Sequence, residues 1–378
     1  MRRCGFRVGS DSSRQIIQFK RAAGAFNQFK RAAGAINHIK RAAGAFNKMK
    51  HILPLLTFAI FFAACTGNKR AETATAQNAL PAFSPDSAMA CVVAQCDFGA
   101  RVPGSEAHRL CGDYIAARFA AYGLTVSEQT ADLKAWDGNT LPMRNIIASL
   151  NPGAEGRILV TAHWDSRPWS DNDPNAANHT TPVLAANDGA SGVAVMVELA
   201  RVLAAYCRDS VQCGGIAAGE WGVDFVCFDC EDYGKTHSDD EATDETWAMG
   251  SNYWSLNPHR SGYTAGWGVN LDMVGGRGSV FRPEGFSRHY APHIVWRLWD
   301  RAVQLGLARF FPTNDRGYII DDHVGPNRNL HIPTVDIIGC ENDNHPSTWH
   351  TVTDTPQNID PAVMAAVGKV LLSMIINQ

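Results

Sequence analysis

The sequence predicts an α/β fold: a three-layer α/β/α sandwich around a mixed, mostly parallel twisted sheet. Two observations carry this. From residue 84 to the end, short apolar runs alternate with amphipathic helix-like segments, the pattern of a sheet covered on both faces. No break in composition interrupts residues 84–378, so they read as one large domain with a substantial core.

The elements follow in order. Ser84 caps a helix running to about Cys96, and Ser105 starts a second running to about Tyr122. Leu110, Tyr114, Ile115 and Phe119 share one face of the second. The Gly/Pro-containing "FGARVPGSEAH" joins them. Strands are expected at Thr125–Lys134, Arg144–Leu150 and Ile158–Thr161, and residues 166–185 read as an Asp/Asn-rich surface loop. Residues 190–207 form a strongly amphipathic helix and 222–228, "GVDFVCF", a buried strand. A helix at Thr246–Leu256, a strand at 267–274, a helix at Ala291–Leu307, a strand at 334–339 and a closing helix at Pro361–Ile376 complete the pattern.

Residues 1–83 have a different character. Residues 18–47 hold three near-copies of a ten-residue unit, "QFKRAAGAFN", a low-complexity array too short per copy for a solenoid. Residues 1–48 are therefore read as preceding the true start. Residues 49–64 have signal-peptide anatomy: a basic opening, an apolar run from Ile52 to Phe62, and small residues before Cys65. "FAAC" resembles a bacterial lipobox, which predicts a lipidated Cys65 and a polar tether over 65–83. The expected location is the bacterial cell envelope, facing the periplasm, and Thr66 after the cysteine favours the outer membrane.

Twelve of the 34 Lys and Arg, but only one of the 37 Asp and Glu, lie in residues 1–64, leaving a remainder of net charge −14. That excludes nucleic acid and anionic membrane faces as natural partners. Cys91/Cys96 and Cys207/Cys213 are close enough in sequence for disulfides in an oxidising compartment. Cys227 reads as core, since no second CxxC accompanies Cys227–Cys230 to build a thiolate zinc site.

In open α/β sheets, ligands bind beyond the carboxyl ends of the strands. Those ends carry His163 and Asp165, Asp188, the acids of "DCED" (Asp229, Glu231, Asp232), Asp272, and "WHTVTD" with His350. "IIDDH" adds Asp321, Asp322 and His323. Taken singly, His163 suits an ordinary strand end, Asp188 a turn or helix cap, and Asp229 a structural role bonded to backbone or to His163. Jointly they form a ring of oxygen and imidazole donors. That donor set suits zinc with an open coordination position, and a cation offsets the repulsion among the acids.

"HWD", "NDGASG", "DCED", "NLDMVG" and "WHTVTD" resemble, in this order, the metal-site motifs of the M28-type zinc aminopeptidase superfamily. With "VPGSEAH", "MRNIIASL" and "IDDH", residues 84–378 are similar to the glutaminyl-peptide cyclotransferases of animal type. That resemblance implies conversion of N-terminal glutamine of peptides or proteins to pyroglutamate with release of ammonia. It implies one Zn2+ per chain on Asp188, Asp232 and His350, with Glu231 as general acid/base. Asp272 and Asp321 would line the pocket as hydrogen-bonding carboxylates. Trp349 would form its apolar wall, with Trp247 or Trp254 near the mouth, and His163 would stand beside the site. The alternative is a dizinc aminopeptidase, with His163 and Asp272 serving a second metal. Two departures stand out: animal cyclotransferases have glutamate at the position of Asp232 and histidine at that of Asp336. An insertion, residues 234–245, separates "DCED" from the tryptophans.

Overall fold

The computed structural model describes residues 81–209, 215–236 and 245–378. The repeat array, the signal-like segment, Cys65, most of the tether, Cys213 and positions 237–244 of the insertion lie outside the described residues.

Seven strands form one sheet in the order β1-β2-β4-β3-β5-β7-β6. Strands β1 (Thr125–Lys134) and β2 (Thr140–Leu150) pair antiparallel from Thr125↔Ser149 to Lys134↔Thr140. Next come β3 (Gly156–His163), β4 (Trp221–Phe228), β5 (Trp267–Asp272), β6 (Val280–Phe281) and β7 (Thr334–Cys340). In the centre β4, β3, β5 and β7 run parallel side by side. Strand β2 meets β4 antiparallel, and β6 closes the far edge antiparallel to β7. The parallel strands release their carboxyl ends at one edge of the sheet.

The central strands are buried almost throughout because both faces are covered. Successive residues feed opposite cores. Ile158, Val160, Phe225 and Cys227 join the larger cluster, and Leu159, Val226 and Phe228 the smaller. Helices α1 (Pro85–Cys96), α2 (Glu106–Ala121) and α3 (Ala190–Asp209) cover the larger cluster. Short helices α4 (Met249–Leu256) and α5 (Gly285–Tyr290) precede α6 (Pro292–Gln304). Helix α7 (Val324–Asn329) and the closing α8 (Pro361–Ile376) follow. Helices α6 and α8 add to the larger face, while α4 and α7 pack together on the other. The Ser84 and Ser105 side chains accept bonds from the Ser87 and His108 amides, so both expected caps form. Helix α3 lies close on the sheet because Gly192 has no side chain: a Cβ there would sit 2.3 Å from the Leu271 carbonyl oxygen.

Several expectations change. Strands β6 and helices α5 and α7 went unread, being too short for a periodic signal. Leu110 is exposed, and α2 instead buries His108, Cys111, Ile115 and Phe119. Helix α4 begins at Met249, because Ala248 adopts the left-handed conformation at φ 52° and ends the preceding turn. The segment 166–185 is only half a surface loop, since Ser166, Arg167, Ser170 and Asp173 are buried. Cys91 and Cys96 are free and buried. Five helical positions separate their side chains by about 140°, too divergent for a disulfide.

Candidate metal centre and active site

The strand ends converge on a cavity of about 330 Å³ lined by Asp188, Glu231, Asp232, Trp247, Asp272, Asp321, Trp349 and His350, among others. His163 ends β3 just behind it. Of the expected set, Asp188, Glu231, Asp232, Asp272, Asp321 and His350 line one cavity and His163 contacts Asp188 and Asp272 behind it, whereas Asp165, Asp229, Asp322 and His323 do not line it. Asp229 turns away, bonding both its carboxylate oxygens to His108 Nε2 at 3.0 Å and accepting the Arg144 amide at 2.6 Å. Its role is structural, with His108 rather than His163 as partner.

Two triads share Asp188. Asp188, Asp232 and His350 offer ligand atoms within 4.8 Å of one another, as do His163, Asp188 and Asp272. In the first, His350 Nε2 lies 3.1 Å from Asp232 Oδ1 and 3.7 Å from Asp188 Oδ2. Asp188 Oδ2 and Asp232 Oδ2 are buried without a hydrogen-bond donor among the described residues. Buried carboxylate oxygens without partners are costly, and a divalent cation satisfies them together. Burial pushes the Asp232 carboxyl up to about 7 against the pull of Arg167. Burial, reinforced by Arg167, pushes His350 down to about 3, leaving a neutral imidazole able to ligate.

In the second triad, His163 Nε2 lies 3.0 Å from Asp188 Oδ1 and 3.3 Å from Asp272 Oδ1. Burial opposes its charge, but Asp165, Asp188 and Asp272 outweigh that and hold it well above its ordinary value. Burial raises Asp272 and Asp321 to about 6 each, and lifts Glu231 well above the carboxylate range despite the nearby His163.

Trp349 stacks on His350 at 3.9 Å between ring centroids and on His345 at 4.0 Å. Trp247 lies nearly parallel to His350 at 6.0 Å. Trp254 is fully buried against Phe228 and Tyr263, far from any mouth role. Asp336 sits beneath Asp321: Asn270 Nδ2 donates to Asp321 at 3.0 Å and to Asp336 at 3.3 Å.

Four supporting residues were missed as such. Asp165 accepts the amides of Glu231 and Asp232, both at 3.2 Å. Asp354 accepts those of Asn187 and Asp188 at 2.8 and 3.0 Å. Arg167 bonds the Asp232 carbonyl at 3.0 Å and pairs with Asp171 through two contacts of 2.8 Å. Arg101 ties the carbonyls of Trp164, Leu184 and Ala185, joining the loops that carry His163 and Asp188. Asp165 and Asp354 stood inside quoted motifs; Arg101 gave no signal, because its partners here are backbone carbonyls, and Arg167 gave none, because the Asp232 it meets lies 65 residues away. The ligand-bearing turns are strained as well. Cys230, Met273 and His350 have φ of 56°, 49° and 56°, and non-glycine residues in that region cluster at functional sites.

Comparison with known proteins agrees with this geometry. The model of peptidase family M28 matches residues 145–375. A crystal structure of Bacteroides thetaiotaomicron glutaminyl cyclase bound to N-acetylhistamine superposes with TM-score 0.74 at 43% identity, covering 79% of this chain and 100% of that one. A Zn-dependent exopeptidase from Parabacteroides distasonis gives TM-score 0.74 at 40% identity over 79% and 100% of the two chains. The glutaminyl-peptide cyclotransferase-like protein of Mus musculus is 24% identical over 61% of this chain and 59% of its own length. The chain thus spans about three fifths of the length of such curated relatives. With its donor ring at the sheet edge and these likenesses, the chain belongs to peptidase family M28, among its homologues of the glutaminyl cyclases.

Proposed function

We propose that this protein is a zinc-dependent glutaminyl-peptide cyclotransferase acting on peptides or proteins with N-terminal glutamine. The observation that carries the reading is the placement of Glu231. It is a buried carboxyl raised well above its usual range, beside the orphaned oxygens of Asp188 and Asp232, in a cavity walled by Trp349 and Trp247.

Asp188, Asp232 and His350 would hold one zinc, whose chemistry when bound is polarisation of the substrate amide carbonyl and stabilisation of its developing negative charge. Glu231 accepts a proton from the substrate α-amine as its nitrogen bonds to the side-chain amide carbon. It returns that proton to the departing nitrogen as the carbon–nitrogen bond breaks, releasing ammonia and closing a five-membered lactam. A carboxyl with raised affinity for protons suits both steps. Asp272 and Asp321 offer acceptors to the amine and amide hydrogens. The tryptophans exclude water, which is no reactant here and would compete for the open coordination position.

Aminopeptidase action is the second reading, favoured by the His163–Asp188–Asp272 triad. Against it, the carboxylate oxygens buried without a donor among the described residues, Asp188 Oδ2 and Asp232 Oδ2, are offered by the first triad. An ammonia-release assay on a glutaminyl peptide, with chelator and zinc add-back, tests the proposal. Release that stops on chelation and returns with zinc supports it. Amino-acid release from a leucyl peptide without ammonia from the glutaminyl one would sink it, and two zincs per chain would favour the peptidase.

The lipobox-like "FAAC" supports secretion and lipid anchoring at Cys65 on the periplasmic face, with an outer-membrane address. Labelling with radioactive palmitate should be lost in Cys65→Ala; persistence of the label would rule out that anchor.

A further inference from the structure

A second cleft adjoins the catalytic cavity. It is lined by Asn172, Arg316, Asp343, Asn344 and Ser347, and it shares Ile319, His345 and Trp349 with the cavity. The shared wall is the ring stack of His345 on Trp349, so the two spaces meet along one aromatic partition. Of the charged side chains in the cleft, Asp343 is paired with Arg282. Arg316 is half-buried and donates to the Gly339 carbonyl at 3.2 Å and toward His345 Nδ1 at 3.4 Å. Among the described residues it forms no ion pair with a carboxylate, whereas Arg282 and Arg288 do. A half-buried guanidinium with five donors and only two acceptors engaged retains capacity for an anionic partner.

A peptide whose N-terminal residue fills the catalytic cavity must lead its next residues out of it. At roughly 3.5 Å per residue in an extended chain, the second and third residues reach an adjoining cleft. We propose that this cleft is the subsite for those residues, and that Arg316 makes it prefer a substrate with an acidic side chain there. The inference rests on the cyclotransferase reading. It narrows that reading from any N-terminal glutamine to glutaminyl peptides with aspartate or glutamate at the second or third position. In residues 65–378, whose net charge is −14, such a local cation is the feature that would overcome repulsion of an acidic substrate.

The test uses glutaminyl pentapeptides identical except for Glu, Gln or Lys at positions two and three, with ammonia release followed for each. The expected kcat/KM order is Glu, then Gln, then Lys, each step about tenfold and carried by KM, and shrinking with added salt. Arg316→Lys should keep the order, Arg316→Ala should flatten it and Arg316→Glu should reverse it. Ammonia released at equal kcat/KM across the series would overturn the subsite and leave cyclisation intact, as would an unchanged preference in Arg316→Ala. No ammonia from any peptide or from free glutaminamide would overturn the cyclisation reading, and this proposal with it.

Discussion

At the residue scale, neighbouring acids differ by environment rather than by type. Glu231 and Asp232 are adjacent and both accept help from Asp165, yet only Asp232 contacts His350. Glu231→Gln should therefore retain zinc by metal analysis while ammonia release falls about 10²–10⁴-fold, the usual worth of a positioned proton carrier. Turnover near the wild-type rate would remove Glu231 from the mechanism. Asp165→Asn tests the support beneath both. It keeps one acceptor oxygen and loses the other, so zinc affinity should drop about 10–100-fold in a chelator competition. An unchanged affinity would reduce Asp165 to a packing role. Asp336 replaces the imidazole expected from the animal enzymes. Burial, with Asp321 and Glu284 adding to it, lifts Asp336 well above the carboxylate range and raises its affinity for a proton.

At the scale of elements, the carboxyl edge of β3, β4 and β5 sets the positions of His163, Glu231, Asp232 and Asp272, while α3 carries the Asp188 turn against it. That arrangement depends on how close α3 lies to the sheet. Adding a side chain at Gly192 meets the Leu271 carbonyl, a backbone atom that cannot swing aside. Gly192→Val should cost about 1–3 kcal/mol or more in urea unfolding, the scale of core overpacking. It should also weaken zinc binding by displacing Asp188. An unaltered midpoint would mean that the helix rides higher than described.

At the scale of the whole molecule, the metal-free protein concentrates acids whose affinity for protons is raised on folding. Asp272 and Asp321 stand at about 6, and Asp232 and Asp354 at about 7, against about 4 in an unfolded chain. The folded state thus holds more protons between these limits, so stability falls as pH rises through them. His350, depressed to about 3, contributes in the opposite sense only below about 6.5. The metal-free protein should melt at a lower temperature at pH 8 than at pH 5.5. Zinc should raise the melting temperature more at pH 8, where its ligands are deprotonated. A metal-free protein more stable at pH 8 would contradict the crowding of these carboxyls.

The sequence by itself determined the layer architecture, the strand and helix alternation and the candidates for the donor ring. Periodicity and strand-end position are local properties, readable wherever an element is long enough to repeat. "FVCFDCED" shows the limit of that reading. Its strand and its surplus of acids were legible, yet the partner of Asp229 was not, because His108 lies 121 residues away. Only the tertiary structure decided which acids can share a cation, which is paired with an imidazole outside the cavity and which have their affinity for protons raised. Those properties depend on burial and on distances of a few ångströms between segments remote in the chain. The same reason hid Arg101, whose partners are carbonyls that every residue type presents alike, Arg167, whose contact with Asp232 spans 65 residues, and the cleft beside Trp349, which exists only where two loops meet.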